Sequence, residues 1–307
     1  MAVAATVLAG LGTALPPRRV TNHDLAQVMD TSDEWIRTRT GIGQRYWSES
    51  GGTTADLATE AGARALKSAG TAEVDAVLVA TTTPDRLCPG TAPEVASRLG
   101  LGGVAAFDVA AVCSGFVYGL ATATGLIASG IAQSVLVIAA EAISRFLDPD
   151  DRGTRVIFGD GAGAVVLRAG TADELGAIGP FDLGSDGEGS DLIAVHAGGS
   201  RKPPVEGIAA AKDIYLTMEG REVYRLAIQR MVASSRIALD RAGWTTGDVD
   251  KFVGHQANVR ILDSVADKLG IPADKRVVNI DRVGNTAAAS IPWPWPTQAR
   301  SPATSCC

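Results

Sequence analysis

Cysteine, histidine and net positive charge are all in short supply in this 307-residue chain, and each shortage removes a class of function. Four cysteines, two of them adjacent as Cys306-Cys307, build no disulfide framework and contain no Cys-x-x-Cys pair; such usage suits a reducing cytoplasm. With only three histidines, a structural zinc site is not expected. A net charge of -6 argues against a general nucleic-acid surface. The chain also lacks a membrane span, because the apolar Ser114–Ser129 segment is too short and carries Tyr118 with several Thr and Gly residues. Met1–Leu15 is apolar but has no basic leader, so it reads as a first buried strand rather than a signal peptide.

What the chain does have is apolar bulk and glycine. It is 46% hydrophobic and 20% charged, with 35 glycines, a composition that suits a tightly packed α/β enzyme of one large domain or two fused halves. The organising stretch is Phe107-Asp-Val-Ala-Ala-Val-Cys113-Ser-Gly-Phe-Val-Tyr-Gly119, which reads as strand, sharp turn and buried helix with a thiol at the turn. A helix start offers unpaired N–H groups and a positive dipole end, which favour thiolate over thiol. The competing reading makes Cys113 a small buried hydrophobe.

Around that stretch the pattern predicts a strand over Thr6–Gly12 broken by Pro16-Pro17 and a helix from Thr21 or Asn22 to Met29. A second helix, capped by Ser32 or Asp33, carries Trp35, and a polar loop over 38–42 follows, flanked by Arg37 and Arg45. Thr53–Ala69 has helical spacing and stops at Gly70; Val74–Ala80 and Ser134–Ala140 are buried strands; Pro93–Leu99 is a helix. Phe158-Gly-Asp-Gly-Ala-Gly-Ala-Val-Val-Leu167 holds three spaced glycines. Val165-Val166 follow them where a dinucleotide loop would open a helix, so close backbone packing beside the site is the better reading.

A repeat runs through the chain. Ala65-Leu66-x-x-Ala69-Gly70, then Val74-Asp75 and a strand, recurs as Ala238-Leu239-x-x-Ala242-Gly243, then Val249-Asp250 and a strand; Val95-Ala96-x-x-Leu99-Gly100 recurs as Val265-Ala266-x-x-Leu269-Gly270. Ala106–Val112 then matches a strand expected at Val277–Val283, which puts Gly284-Asn285 opposite Cys113. The division that follows is an N-terminal half, 1–170, a C-terminal half, 171–291, and an irregular Pro-Trp tail, 292–307. By the repeat, the second half is a helix and two strands short after Asn285. Two such halves would bring their strand ends to a shared crevice. Cys113, His255 and Asn285 fall at three of those ends: a nucleophile with two polar groups to aim at an acyl oxygen.

These motifs resemble the thiolase-fold condensing enzymes, and specifically the β-ketoacyl-acyl-carrier-protein (ACP) synthase III family. The stretches that carry the likeness are Ser-Asp-Glu-Trp35-Ile with Arg39-Thr40-Gly41-Ile42, Asp108-Val-Ala-Ala-Val-Cys113-Ser-Gly-Phe, Asp151-Arg152-Gly-Thr, Gly254-His-Gln-Ala-Asn-Val-Arg260-Ile, and Gly284-Asn285-Thr with Ala-Ser290-Ile-Pro. The resemblance implies a five-layered αβαβα fold and a two-step reaction. Cys113 takes a starter acyl group from coenzyme A (CoA), and His255 and Asn285 stabilise the enolate of malonyl-ACP as it loses carbon dioxide and attacks. It implies CoA contacts at Trp35, Arg39, Thr40, Arg152 and Asn258, an ACP-docking patch at Arg225, Arg260 and Lys268, and no cofactor beyond the substrates. A homodimer is also implied, in which the loop Asp85-Arg-Leu-Cys88-Pro89 enters the partner's acyl pocket; Cys88 there suggests a pocket wider than acetyl requires. The other readings are acyl transfer or thioester hydrolysis by the same thiol, a papain-like protease, which would be expected to carry disulfides, and an inactive or non-catalytic subunit.

Overall fold

The structure, a computed structural model, describes residues 4–203 and 212–292. In order, its elements are β1 (Ala4–Ala14), β2 (Arg18–Thr21), α1 (Asn22–Ala26), α2 (Asp33–Thr40), β3 (Gln44–Trp47), α3 (Thr54–Ala69), β4 (Ala76–Ala80), α4 (Ala92–Arg98), β5 (Ala105–Val109), α5 (Gly115–Ala128), β6 (Ser134–Glu141), α6 (Arg152–Arg155), β7 (Gly161–Thr171), β8 (Ile193–Val195), β9 (Leu216–Met218), α7 (Gly220–Ala242), α8 (Val259–Leu269) and α9 (Ile280–Val283).

The first half is organised by one five-stranded sheet in the order β1-β7-β6-β4-β5. β4 runs parallel to both β5 and β6, while β7 is antiparallel to β6 and β1. Side chains alternate across a strand, and both faces here are covered. Val77, Val79, Leu136 and Ile138 face α3 and α4. Leu78, Ala80, Val135 and Val137 face α5 through Phe116, Leu120 and Ile127. Double coverage is why β4 and β6 read as unbroken apolar runs rather than alternating ones. Small residues set the spacing: a Cβ on Gly10 of β1 would sit 2.5 Å from the Ala65 carbonyl of α3, so the helix lies on the strand at a distance only glycine permits.

Local signals act where the sequence places them. Thr53 caps α3, its hydroxyl accepting from the Asp56 N–H at 3.2 Å while the Asp56 carboxylate accepts from the Thr53 N–H at 2.9 Å. Gly70 ends the helix at φ 68°. In the second half the glycine-stopped helices of the repeat are present, but the strand expected after Val249-Asp250 is reduced to the single bridged residue Phe252. α7 ends at Gly243 with φ 71° and α8 at Gly270 with φ 73°, and Ile228, Val232 and Leu239 of α7 pack with Leu262, Val265 and Leu269 of α8 over Phe252.

The strand expected at Val277–Val283 is not formed. Pairing there amounts to one parallel bridge, Phe252 with Arg276, and Ile280–Val283 turns into the short helix α9. Ile280 and Val283, about one helical turn apart, share the buried face of α9. The first-half helix α1 also stops at Ala26, three residues before the expected Met29. Of the irregular tail, residues 293–307 lie outside the described residues.

Candidate active site

Cys113 sits in a single 3-10 turn, Val112–Ser114, between the end of β5 and the start of α5. Val112 adopts φ 47°, a conformation a β-branched residue rarely takes, so the turn is held under strain next to the thiol. A second 3-10 turn, Ala287–Ser290, packs directly against it. A Cβ on Gly115 would lie 3.3 Å from Ala288 Cβ. That second turn gathers the other two residues. Asn285 precedes it and accepts the Ala287 N–H through Oδ1 at 2.9 Å. Ser290 closes it, with Oγ 2.5 Å from His255 Nδ1. One short segment therefore touches the thiol's turn, positions the carboxamide and holds the imidazole.

The His255 loop is braced by Gln256, which is fully buried. Its Nε2 donates to the carbonyls of Gly254 at 2.9 Å and Val277 at 3.1 Å, and its Oε1 accepts from the Asn279 N–H at 3.0 Å. Asn285 is tied to the first half on both sides: its N–H donates to Ile157 and its carbonyl accepts from Gly159, each at 2.9 Å.

Electrostatics correct one expectation. The helix start was expected to favour the thiolate, but burial, reinforced by the Glu141 carboxylate, pushes the Cys113 thiol up from 9.0 to about 12, against the opposing pull of its own backbone N–H. The short 3-10 turn, rather than α5 itself, carries the sulfur, so the dipole does not prevail. His255 moves the other way: burial lowers it from 6.5 to about 4, which leaves a neutral imidazole at neutral pH. The site thus holds a protonated thiol and neutral donors, not an ion pair.

Glu141 is the residue the sequence reading missed. It ends β6, is fully buried, and takes hydrogen bonds from the Thr82 N–H at 3.1 Å and the Thr83 hydroxyl at 3.0 Å. Burial raises it from 4.5 to about 8 in spite of those donors and of the Ala288 N–H. Its signal was an acidic residue ending an otherwise apolar strand. Ser290, quoted only as part of a motif, also went without a role.

The residues expected at the CoA entrance group around α2. The guanidinium carbons of Arg39 and Arg152 each lie 4.5 Å from the Trp35 ring centroid. Arg152 rests on the Trp35 ring itself. Arg152 also donates to the Asp30 carbonyl at 2.7 Å. Asn258 caps α8 by accepting the Arg260 N–H at 2.9 Å and bridges to α2 by donating to the Arg39 carbonyl at 3.1 Å. Thr40 is turned inward; its hydroxyl donates to Ile36 at 2.7 Å and accepts from Ile42 at 3.1 Å, closing the helix end.

Arg260 and Lys268 are exposed on α8 and Arg225 on α7. Arg225 is paired with Glu222, and Asp263 and Asp267 on α8 are paired with Arg276, so the patch carries both signs. Cys88 is exposed in its loop. Among the described residues, no group of three or more His, Cys, Asp or Glu is placed to hold a metal, and no helix is long and apolar enough to cross a membrane.

Known proteins are similar to this chain in sequence and fold. The family described as 3-oxoacyl-[acyl-carrier-protein] synthase III matches residues 107–187, and its C-terminal part matches 239–294. A β-ketoacyl-[acyl-carrier-protein] synthase III of Streptomyces coelicolor is 61% identical over 288 residues, covering 94% of this chain and 86% of its own. A crystal structure of 3-oxoacyl-(acyl carrier protein) synthase III from Pseudomonas aeruginosa matches with a TM-score of 0.87 at 49% identity, covering 94% of this chain and 87% of that one. A priming β-ketosynthase from a polyketide biosynthetic pathway matches at 0.88 with 36% identity, covering 98% and 89%. The fold is that of the thiolase-type condensing enzymes. Within that class, the chain belongs to the 3-oxoacyl-ACP synthase III family.

Proposed function

We propose that this chain condenses a starter acyl-CoA with malonyl-ACP, with loss of carbon dioxide, to begin fatty-acid or polyketide chains. The observation that carries the reading is the Ala287–Ser290 turn, which touches the Cys113 turn and holds both His255 and Asn285.

In the first step Cys113 Sγ bonds to the acyl carbon, the thioester bond to CoA breaks, and the thiol proton leaves with the CoA sulfur. The Cys113 N–H, just ahead of α5, stabilises charge that develops on the acyl oxygen. In the second step malonyl-ACP loses carbon dioxide, the remaining electron pair forms the new carbon–carbon bond to the acyl carbon, and Sγ departs with the electrons of the broken thioester bond and takes up a proton from water to restore the thiol. His255 and Asn285 hydrogen-bond the thioester oxygen where enolate charge builds. Neutral donors suit this task, and one such donor is worth about 3–4 kcal/mol. Neither step moves electrons to or from a redox group, so the substrates suffice without a cofactor.

Trp35, Arg39, Arg152 and Asn258 receive the CoA moiety, whereas Thr40, buried with its hydroxyl spent on Ile36 and Ile42, only closes the helix end that presents Arg39; Arg225, Arg260 and Lys268 receive the acidic ACP. The working form is a homodimer: β5 is the open edge of the sheet, and Leu87, Phe107 and Val112 beside it are exposed apolar side chains that a second copy would cover. Cys88 from the partner would then line the acyl pocket, and a longer or branched starter is favoured over acetyl. The cytoplasm is the compartment that supplies these substrates.

The test is to incubate the protein with acyl-CoA and malonyl-ACP and follow release of carbon dioxide and the mass of the ACP. A β-ketoacyl-ACP product that disappears in Cys113→Ala supports the reading. Free acid in its place, with malonyl-ACP untouched, would mark a thioesterase.

A further inference from the structure

We infer that Ser290 is a positioning residue that fixes His255 in the tautomer carrying its proton on Nε2, so that Nε2–H is the donor presented to the thioester oxygen; this rests on the condensing function proposed above. Ser290 is fully buried, and its Oγ has two hydrogen-bond partners, His255 Nδ1 at 2.5 Å and the backbone N–H of Gln256 at 3.2 Å. The amide can only donate, so it occupies one lone pair of the hydroxyl. Of these two partners, Nδ1 alone can accept the hydroxyl hydrogen. With O–H donating to Nδ1, amide, hydroxyl and ring nitrogen are all satisfied. With the other tautomer, Nδ1–H donates to Oγ and the serine hydrogen loses the only acceptor these contacts offer, in a position shielded from water. A ring whose Nδ1 lone pair is engaged carries its hydrogen on Nε2.

The tautomer matters because charge does not make the choice. Burial keeps the imidazole neutral at neutral pH, and a neutral ring donates from one nitrogen only. Without a fixed partner at Nδ1, part of the population would present a lone pair to the enolate oxygen and repel it. Ser290 is placed by the same turn that places Asn285. Ala287 is held at φ 47° with its N–H on Asn285 Oδ1, and Ala288 and Ala289 are packed into the core beneath α5. The two donors to the enolate are therefore set by one segment of backbone.

The test is 15N NMR of the full-length protein labelled on histidine. There are three histidines, and substituting His23 and His196 assigns the third signal. The expected result is an Nε2-protonated, Nδ1-unprotonated His255 across pH 6–8 in the unsubstituted protein. Ser290→Ala is expected to give mixed tautomers and to slow condensation by about 10- to 100-fold, with a smaller effect on acylation of Cys113 by acyl-CoA. Ser290→Thr, which keeps the hydroxyl, restores the Nε2–H pattern. A proton on Nδ1 in the unsubstituted protein overturns the inference, whatever the variants do. So does a Ser290→Ala protein that keeps a pure Nε2–H ring, or one that loses acylation and condensation equally. An Nε2–H ring that disappears in Ser290→Ala, found in a protein that makes no β-ketoacyl product, supports the tautomer assignment while removing the functional reading.

Discussion

The N–H of Gly159 donates to the carbonyl of Asn285 at 2.9 Å, stitching the glycine turn of the first half to the site loop of the second. A Cβ at Gly159 would sit 2.5 Å from the Val283 carbonyl and 3.1 Å from Arg45 Cβ, so only a hydrogen fits there. Gly159→Ala is expected to push the Val283–Asn285 backbone away. The expected cost is about 1–3 kcal/mol of stability, with condensation falling more than acylation. Urea unfolding and separate rates for the two steps check this.

Trp35 is in contact with two guanidinium groups, Arg39 and Arg152, each 4.5 Å from the ring centre. Such contacts are worth about 0.5–2 kcal/mol each. Trp35→Ala is expected to raise KM for acyl-CoA by about 2- to 30-fold with kcat nearly unchanged, as the proposed place of the ring in the CoA site requires. Steady-state kinetics with acyl-CoA varied decide the point.

Glu141 and His255 impose opposite pH dependences on stability. Glu141 is raised from 4.5 to about 8 in the fold, so its protonated form is favoured there, and the stability it contributes is complete below pH 4.5 and lost as pH rises through 8. His255 is lowered from 6.5 to about 4, so its contribution is complete above pH 6.5 and lost as pH falls through 4. Between 4.5 and 6.5 the two slopes oppose each other, and above 6.5 Glu141 acts alone. Glu141→Gln is therefore expected to flatten the decline between pH 6.5 and 8, a difference of about 2 kcal/mol over that window. Denaturant midpoints of the two proteins at both pH values measure it; equal slopes would contradict the assignment.

The same carboxylate raises the Cys113 thiol once it is charged. Iodoacetamide is expected to modify Cys113 faster in Glu141→Gln than in the unsubstituted protein above pH 8, where Glu141 is ionised, and at similar rates near pH 6.5. Mass mapping of the modified thiol, with Cys88 as an internal exposed reference, checks it.

Much of this architecture was legible in the sequence because local chemistry and tertiary demand agree. The helix expected over Thr53–Ala69, its Gly70 stop, the apolar β4 and β6 and the turn-to-strand sense of the Phe158–Leu167 glycines all follow from residue type and spacing alone, while the role of Thr53 as the cap rather than the first helical residue emerges only in the structure. The second half was harder to read. Val277 to Val283 carries β-branched residues, yet Ile280–Val283 forms a helical turn that puts Ile280 and Val283 on one buried face. At the site, motifs named the polar residues but not their ionisation. The thiol's rise depends first on burial by elements remote in the chain and then on Glu141, 28 positions away in sequence. No local pattern carries that information, and Ser290 acquires its role only when the Ala287–Ser290 turn meets the His255 loop.

The most direct measurement is the intact mass of the protein after incubation with acyl-CoA. The account predicts one acyl adduct, mapped to Cys113 and absent from Cys113→Ala, that disappears when malonyl-ACP is added as the β-ketoacyl product forms. No adduct with any acyl-CoA, or an adduct mapped to the exposed Cys88 instead, would contradict it.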